Sequence, residues 1–443
     1  MASINLNTTS ATQGTGIDVT SVVDQILYAE RAPERLWQQQ QVQLSTQATA
    51  LSSLDSSLQA LSDKANALRD LFGALTAKIA QSSDPAVLTA QATSFAASGV
   101  HTIQVTNLAA TSSYYTDPMA DGSALPNGSF SLKVGAGNTV SIVVDDTRNT
   151  LETLAAYLNS QNLGIRASVI RDASGSRLAL VSQTAGAPGD LTLSDDTSGL
   201  GFHKSVTGVN ASLTVDGVPI SSTTNNGIQV LDGVTFNLFA GSEGRSTTLT
   251  VTPDVPRAET ALKDFVSAYN TLISGINNQF LYNPATKSAA PLAGNSSLRA
   301  LQSALLSNVS HSLTGNNGFT TLASLGVTMN NDGTLSVDDA KLTDAITLHP
   351  EEFKSFFQDP AQGFAVNFSN VLRELADSTQ GLLRLNLAEN ANNQRMLTDL
   401  INDFEDRLAV RQKELLVQYS QVDTMLRQFP LLMAQITGQL NTK

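Results

Sequence analysis

The sequence predicts an α+β fold: a discontinuous helical coiled-coil stalk, made from both termini, carrying two mainly antiparallel β head domains. Three observations lead there. Long apolar stripes at three- and four-residue spacing lie near each end of the chain. The middle switches to two-residue alternation of β-branched residues, punctuated by turn signals. The chain, 443 residues long, is enough for two to four domains and a substantial core.

The first stripe lies in "TGIDVTSVVDQILYAERAPERLW" (Thr15–Trp37). Ile17, Val19, Val22, Val23, Ile26 and Leu27 share one face of a helix, Asp18 is placed to cap it, and Pro33 should kink or restart it. A cleavable secretory signal is not expected, because residues 1–14 hold no Lys or Arg and Asp18, Asp24, Glu30 and Arg31 interrupt the apolar stretch. No window reaches the roughly 20 apolar residues of a membrane span. Leu51, Leu54, Leu58, Leu61, Ala65, Leu68, Phe72, Leu75 and Ile79 then alternate steps of three and four, and "SSDP" (Ser82–Pro85) is expected to end that helix.

A second heptad runs from Leu397 through Ile401, Phe404, Leu408, Leu415, Val422, Met425, Phe429, Leu432 and Ile436, with Arg411 and Gln418 at the remaining seam positions. Pro430 should kink this helix or close it a turn early. Two arrangements fit: a hairpin of helices inside one bundle, or pairing of the two termini with everything between them inserted. The second is favoured because both ends carry long stripes and the middle does not.

Strand patterns occupy His101–Ala109, Ser129–Val134, Thr139–Val144, Ile165–Ile170, Ser176–Ser182, Ala211–Ile220, Gly233–Phe239 and Ser246–Asp254. Pro126-Asn127-Gly128, Ala173-Ser174-Gly175, Asp216-Gly217 and Asp232-Gly233 mark turns between them. One helix, Leu151–Gln161, interrupts the strands, and helical pattern returns at Arg257–Asn277 and Asn295–Ser312, followed by a hairpin-like Met329–Ile346. The expected division is a terminal leg (1–45 with 415–443, flexible when unassembled), a helical stalk (46–82 with 259–414), a β head (83–127 with 205–258) and an inserted outer β head (128–204).

The charge balance is acidic, 39 Asp and Glu against 26 Lys and Arg, which argues against nucleic acid or anionic lipid as a partner. The chain has no cysteine, so thiolate catalysis, disulfides and cysteine-ligated metals are excluded. His101, His203, His311 and His349 lack ligand spacing, and Asp145-Asp146 and Asp195-Asp196 read as solvated turns. "NNDGTLSVDD" (Asn330–Asp339) departs from the calcium-loop order and reads as a turn capping a helix that begins near Asp338. There is no phosphate loop, dinucleotide fingerprint or serine elbow. No enzyme and no cofactor are expected.

Gly16, Ile17, Asp18, Val22, Val23, Glu30 and Pro33, in "GIDVTSVVDQILYAERAPERL", resemble the opening of the flagellar filament cap family, hook-associated protein 2. Thr139–Gly186 is similar to a repeat inserted in flagellins and cap proteins, and Ala211–Leu238, Val327–Ile346 and His349–Leu375 are similar to body motifs of the cap family. The order of these motifs is more specific than any one of them. The resemblance implies a secreted structural protein, exported unfolded through the flagellar type III machinery, that forms a homo-oligomeric ring at the distal filament tip and promotes flagellin folding and insertion. Its implied partners are flagellin, hook–filament junction proteins, the export machinery and an export chaperone at the C-terminal region, with no nucleic acid and no membrane insertion. Tetramer, pentamer and hexamer all stay open. The residues expected to carry assembly are Ile17, Val22, Val23, Ile26, Leu27, Leu51, Leu54, Leu58, Leu61, Leu68, Phe72, Leu397, Ile401, Phe404, Leu408, Leu415, Val422 and Phe429. Alternatives are a surface adhesin binding mucin at the filament tip, or a junction protein of the same axial family; the latter should lack the 211–238 and 327–346 motifs together.

Overall fold

Asp18 and Pro33 set the first helices. The Asp18 carboxylate accepts from the Ser21 amide at 3.1 Å and caps α1 (Val19–Glu30). Pro33 has no amide to donate, so the helical ladder breaks at Arg31 and restarts as α2 (Ala32–Arg69). The structure, a computed structural model, describes residues 16–285 and 287–440, with side chains described as far as residue 437. Residues 1–15 and 441–443, which belong to the expected leg, lie outside the described residues.

Further along come α3 (Leu151–Ser160), α4 (Val255–Asn278), α5 (Ser296–Val309), α6 (Asp339–Leu348), α7 (Pro350–Gln358), α8 (Phe364–Leu375) and α9 (Leu382–Leu440). Helices at both ends of the chain thus flank a central run of strands, and every strand pairing among the described residues is antiparallel.

Two expectations about the long helices need correction. The first stripe does not stay helical through Phe72, Leu75 and Ile79. Asp70 accepts from the Phe72 amide at 3.0 Å and its carbonyl accepts from Gly73 at 3.0 Å, closing a turn just past Arg69. Leu75 sits in a 3-10 turn and Ile79 in the strand Lys78–Ser82, which pairs with Ser246–Pro253. The count of three and four survives there, but turn chemistry ends the helix. At the other end, α9 begins at Leu382, well before Leu397, and Pro430 does not close it, since the helix runs on to Leu440. Its first turns escape the apolar pattern because asparagines hold seam positions: Asn390 donates to the Leu44 carbonyl at 3.0 Å and accepts from Gln394 at 2.7 Å.

The chain divides into two compact units. One takes the chain up to Arg69, Ala261–Leu342 and everything from Glu351 onward; the other takes Asp70–Thr260 and Thr343–Pro350. The β unit holds two separate hydrophobic cores. A five-stranded sheet, in the order Lys78–Ser82, Ser246–Pro253, Gly99–Asn107, Ala211–Val215 and Val218–Ser222, shares one core with a three-stranded sheet of Ile228–Leu231, Val234–Leu238 and Leu88–Ala92. Ile103, Val105, Leu213, Phe236 and Leu249 lie at its centre. Asp216-Gly217, both at positive φ (52° and 83°), close the hairpin that pairs Val215 with Val218, as the Asp-Gly signal predicts. The second core packs α3 between a four-stranded sheet (His203–Val206, Ser113–Tyr115, Gly175–Ser182, Ile165–Asp172) and a three-stranded one (Val140–Val144, Gly128–Val134, Leu191–Ser194). Ser113–Tyr115 and His203–Val206 pair into this second body, which therefore reaches beyond the expected 128–204 limits, out to the bridge between Ala110 and Val209.

In the helical unit, the core is aromatic. Phe265 on α4 meets Phe364 and Phe368 on α8 edge-on at 5.8 and 5.5 Å, and Phe356 and Phe357 pack on each other at 5.0 Å. Each of these rings is buried. Replacing Phe265 with Ala should cost about 3–5 kcal/mol through lost burial and a residual cavity. The single tryptophan, Trp37, lies in this unit and makes its unfolding separately readable by fluorescence. The midpoint of that transition should fall markedly in urea, and an unchanged midpoint would show that the ring is not part of the core.

Candidate functional site

The expected assembly residues converge mainly on the helix pair formed by α2 and α9, with α1 laid against the later part of α9. Leu51, Leu54, Leu58, Leu61 and Leu68 are all buried in the α2 stripe. Cover comes from α9 and α8, with Gln59 donating to the Ala376 carbonyl at 2.9 Å. From α4, Gly275 approaches closely: a Cβ at this position would stand 3.0 Å from a Leu54 methyl, so the absence of a side chain lets that helix close on the stripe.

The register between the termini is antiparallel and is marked by polar contacts. Passing up the N-terminal helices and down α9, the Ile17 amide donates to Asp423 at 2.9 Å, Glu30 faces Arg411 at 3.5 Å and Arg31 donates to Glu405 at 2.9 Å. Gln41 then donates to Thr398 at 2.7 Å, Asn390 reaches the Leu44 carbonyl, and Arg384 meets Asp55 at 2.7 Å. Asp55 is only 5% exposed, wedged between Leu54 and Leu58. A buried charge of this kind contributes little net stability but makes a shifted register costly.

Between the first of these contacts sits a small apolar cluster. Val23 and Leu27 of α1 pack on Leu408 and Leu415 of α9, flanked by Val19, Ile26, Phe404, Leu416 and Tyr419. Trp37 meets Phe404 edge-on at 5.3 Å. The apolar face of α1 is therefore covered within a single chain. Val22 is buried too; Ile17, Leu397 and Ile401 are half-buried. Phe72, Val422 and Phe429 are not brought into the seam and stand exposed. Val422 and Phe429 stand where α9 runs past the start of α1 at Val19, the Ile17 amide ahead of that helix donating to Asp423.

Glu34 was not foreseen as a seam residue. It is 5% exposed and accepts from Arg31 and Gln38, each at 2.8 Å, while Arg31 also grips Glu405.

Residues weighed for chemistry have structural duties. Asp332 accepts from the Thr334 amide at 3.0 Å and closes the turn of the hairpin Val327–Met329/Leu335–Val337, and Asp338 accepts from Lys341 at 3.2 Å, capping α6. His101 pairs with Asp216 at 2.7 Å and His203 with Asp117 at 2.9 Å, each tying two segments of the β unit. Asp145 and Asp196 accept from the amides of Thr147 and Ser198, two residues on, as turn carboxylates do. A polar hollow of about 310 Å³ beside α9 is lined by Gln47, Asn295, Asn386, Glu389, Asn390 and Asn393. Several of its amides tie the surrounding helices together: Asn390 reaches the Leu44 carbonyl, Gln47 donates to the Pro291 carbonyl at 3.1 Å and Asn295 to Asn386 at 2.9 Å. No group of three or more His, Asp or Glu able to hold a metal occurs among the described residues, and no described helix is long and apolar enough to cross a membrane.

Paired terminal helices with antiparallel β bodies inserted between them define an axial structural protein of the flagellum, and three family matches make this specific. Residues 208–430 match the flagellar hook-associated protein 2 C-terminus, residues 15–112 its N-terminus, and residues 129–184 the flagellin hook IN motif. The chain belongs to the flagellar hook-associated protein 2 family, whose members are non-enzymatic structural proteins. It is 31% identical over 433 residues to the B-type flagellar hook-associated protein 2 of Pseudomonas aeruginosa, covering 89% of this chain and 90% of that one. It is 27% identical over 459 residues to the flagellar hook-associated protein 2 of Escherichia coli K12, covering 96% of each. Its fold is similar to the crystal structure of the D1-D2-D3 domains of the flagellar cap protein FliD from Escherichia coli, with a TM-score of 0.60 and 26% identity over 77% of this chain and 99% of that one.

The charges at the seam give it a pH dependence. The Arg31 guanidinium holds the Glu405 carboxyl below its ordinary value, and Arg427, followed by the Ile17 amide, does the same for Asp423. A carboxylate depressed on folding contributes stability that is complete above its unfolded pKa, about 4.3 for Glu and about 3.9 for Asp, and that is lost as pH falls through the lower folded value. Docking of α1 on α9 should thus be flat from roughly pH 6 to 8 and weaken below about pH 4. Amide exchange of residues 19–30, corrected for intrinsic rates, is the check; weakening already between pH 8 and 6 would contradict the assignment.

Proposed function

We infer that the chain works as a non-enzymatic structural cap at the tip of the bacterial flagellar filament, promoting polymerisation of flagellin. Family membership carries this reading, and the antiparallel terminal seam supports it: a cap needs a leg that reaches the filament and a head that meets arriving subunits. On this reading the chain acts outside the cell, with flagellin and the export apparatus as its partners. A homo-oligomeric ring, contact with hook–filament junction proteins, and an export chaperone bound at the C-terminal region extend the proposal. So does the division into a terminal leg (1–45 with 415–443), a helical stalk (46–82 with 259–414) and β heads. The adhesin reading has no observation in its favour; the single Trp lies in the helical leg against Phe404, away from any carbohydrate-binding role.

Leu408 and Leu415 are buried under α1, and an Asp at either position places a charge in an apolar contact, costing at least the ~2–5 kcal/mol of losing the side chain. The L408D/L415D chain should still be exported but cap poorly, giving short filaments, poor swimming and monomeric flagellin in the medium. Asp338→Asn, which keeps a capping side chain on α6, should swim normally. Mass measurement across concentration belongs beside these assays, since a ring requires self-association. Normal filaments in the double variant, or a wild-type chain monomeric at every concentration and absent from filament tips, would defeat the leg and the ring respectively. Normal filaments in a strain lacking the chain would defeat the capping function itself.

The inserted head gives a second test. We propose that residues 111–208 fold alone, because both ends lie beside the Ala110–Val209 bridge and the second core lies wholly between them. The shorter fragment 128–204 lacks Ser113–Tyr115 and half of the strand His203–Val206. A cooperative thermal transition is expected for 111–208 and a weaker one for 128–204; no transition in the longer piece would remove the separate domain.

A further inference from the structure

We propose that α1 is a detachable strap, hinged at Arg31-Ala32-Pro33 and held on α9 by an ionic clasp, whose release bares a continuous apolar row on α9. The row is read directly from spacing. Leu408, Leu415, Val422, Phe429 and Ile436 follow one another at seven-residue steps on one helix face. Leu408 and Leu415 are 5% and 3% exposed, under α1, whereas Val422, Phe429 and Ile436 stand exposed. The strap therefore covers the first part of a row whose remainder is already open.

Its attachment is thin in apolar terms and rich in charge. Three side chains of α1 are buried, Val22, Val23 and Leu27, and the last two share the cluster with Leu408 and Leu415. Around them the clasp consists of Ile17 on Asp423, Glu30 on Arg411 and Arg31 on Glu405, with Glu34, Glu414 and Arg427 completing the charged neighbourhood. Most of these side chains are substantially exposed, Arg31 and Glu405 at 38% and 42%, so salt reaches them. The hinge is equally specific. Pro33 removes a donor where α1 would run into α2, while Arg35 stays with the strap's end, its guanidinium donating to the Tyr28 carbonyl at 2.9 Å. By contrast, the α2 stripe from Leu51 to Leu68 is held by five buried leucines, and its ion pair to α9, Asp55 with Arg384, has its carboxylate buried where salt reaches it far less. The strap stands whether or not the chain caps filaments, because it is a property of the single chain.

The absence of cysteine makes the test clean. Val23→Cys reports the strap, Leu58→Cys reports the α2–α9 seam, and Ile26→Cys is a milder second strap probe should Val23→Cys unseat the helix. Each purified full chain is alkylated at about 0.01 M and about 1 M NaCl, which shortens the screening length from about 30 Å to about 3 Å. Modification at position 23 or 26 should quicken about fivefold with salt while position 58 stays protected, the scale expected for loosening several exposed ion pairs. Glu405→Gln should quicken position 23 at low salt and blunt the salt response. Arg31→Gln should do the same, and the two together no more than either alone. Position 23 protected like position 58 at both salts would overturn the detachable strap. Fast modification independent of salt and of Glu405 would overturn the clasp.

Discussion

The pairing of α2 with α9 is the constraint on which the rest of the helical unit depends. The leucine stripe of α2 cannot be buried by its own neighbours in sequence: α2 is a single helix of 38 residues, roughly 57 Å long, and needs a surface from elsewhere. That surface arrives from residues more than 300 positions away, as the contacts of Gln59 with Ala376 and Asn390 with Leu44 record. Once the termini are joined, all that lies between must leave and return near one place. Lys64 of α2 meets Asp264 of α4 at 2.7 Å, so the departing and returning helices stand side by side. An insertion whose ends are already held together adds little closure entropy with length, which is why a β unit of this size is tolerated there.

What keeps that pairing in one register is not the leucines. A seven-residue stripe can slide by a heptad and still bury itself, so specificity falls to the polar positions. Asp55 would lose Arg384 on a shift and be left buried without a counter-charge, and Asn390 would lose the Leu44 carbonyl. Asn295, which caps α5 and donates to Asn386 of α9, ties a third helix to the same helix. Features that a search for chemistry would single out, namely a buried carboxylate, a polar hollow and clustered amides, are here the devices of alignment.

The sequence revealed the long-range plan more readily than the ends of its elements. The terminal stripes, the helix cap at Asp18, the restart at Pro33, the Asp216-Gly217 hairpin and the strands around His101, Ile165 and Ser246 were all legible, because each rests on local periodicity or turn chemistry. The end of α2 was not. Its three-and-four count ran on through Phe72 and Ile79, and only the turn at Asp70 and pairing with Ser246–Pro253 decide otherwise. The start of α9 was hidden for the opposite reason, since asparagines occupying the seam erase the apolar signal. Strands such as Leu88–Ala92 and Ser113–Tyr115 are too short and mixed to show a period; the first is taken up at a sheet edge and the second between His203–Val206 and Gly175–Ser182. In the seam itself Glu34 was invisible, as burial of a carboxylate cannot be seen before its Arg and Gln are in place.

These features together place stability unevenly along one helix. Near its start α9 belongs to the unit whose core packs the fully buried rings of Phe265, Phe356, Phe364 and Phe368. Farther along it is covered by two buried side chains of α1 and by charges that water and salt can reach. Farther still, the side chains of Phe429, Leu432 and Ile436 stand exposed. Cooperativity must decay in that order, because each successive stretch shares fewer buried contacts with the last. A helix graded in this way is fixed at its base while its far end stays free to move, so the two ends of α9 answer to different forces: packed rings at one, exposed ion pairs at the other.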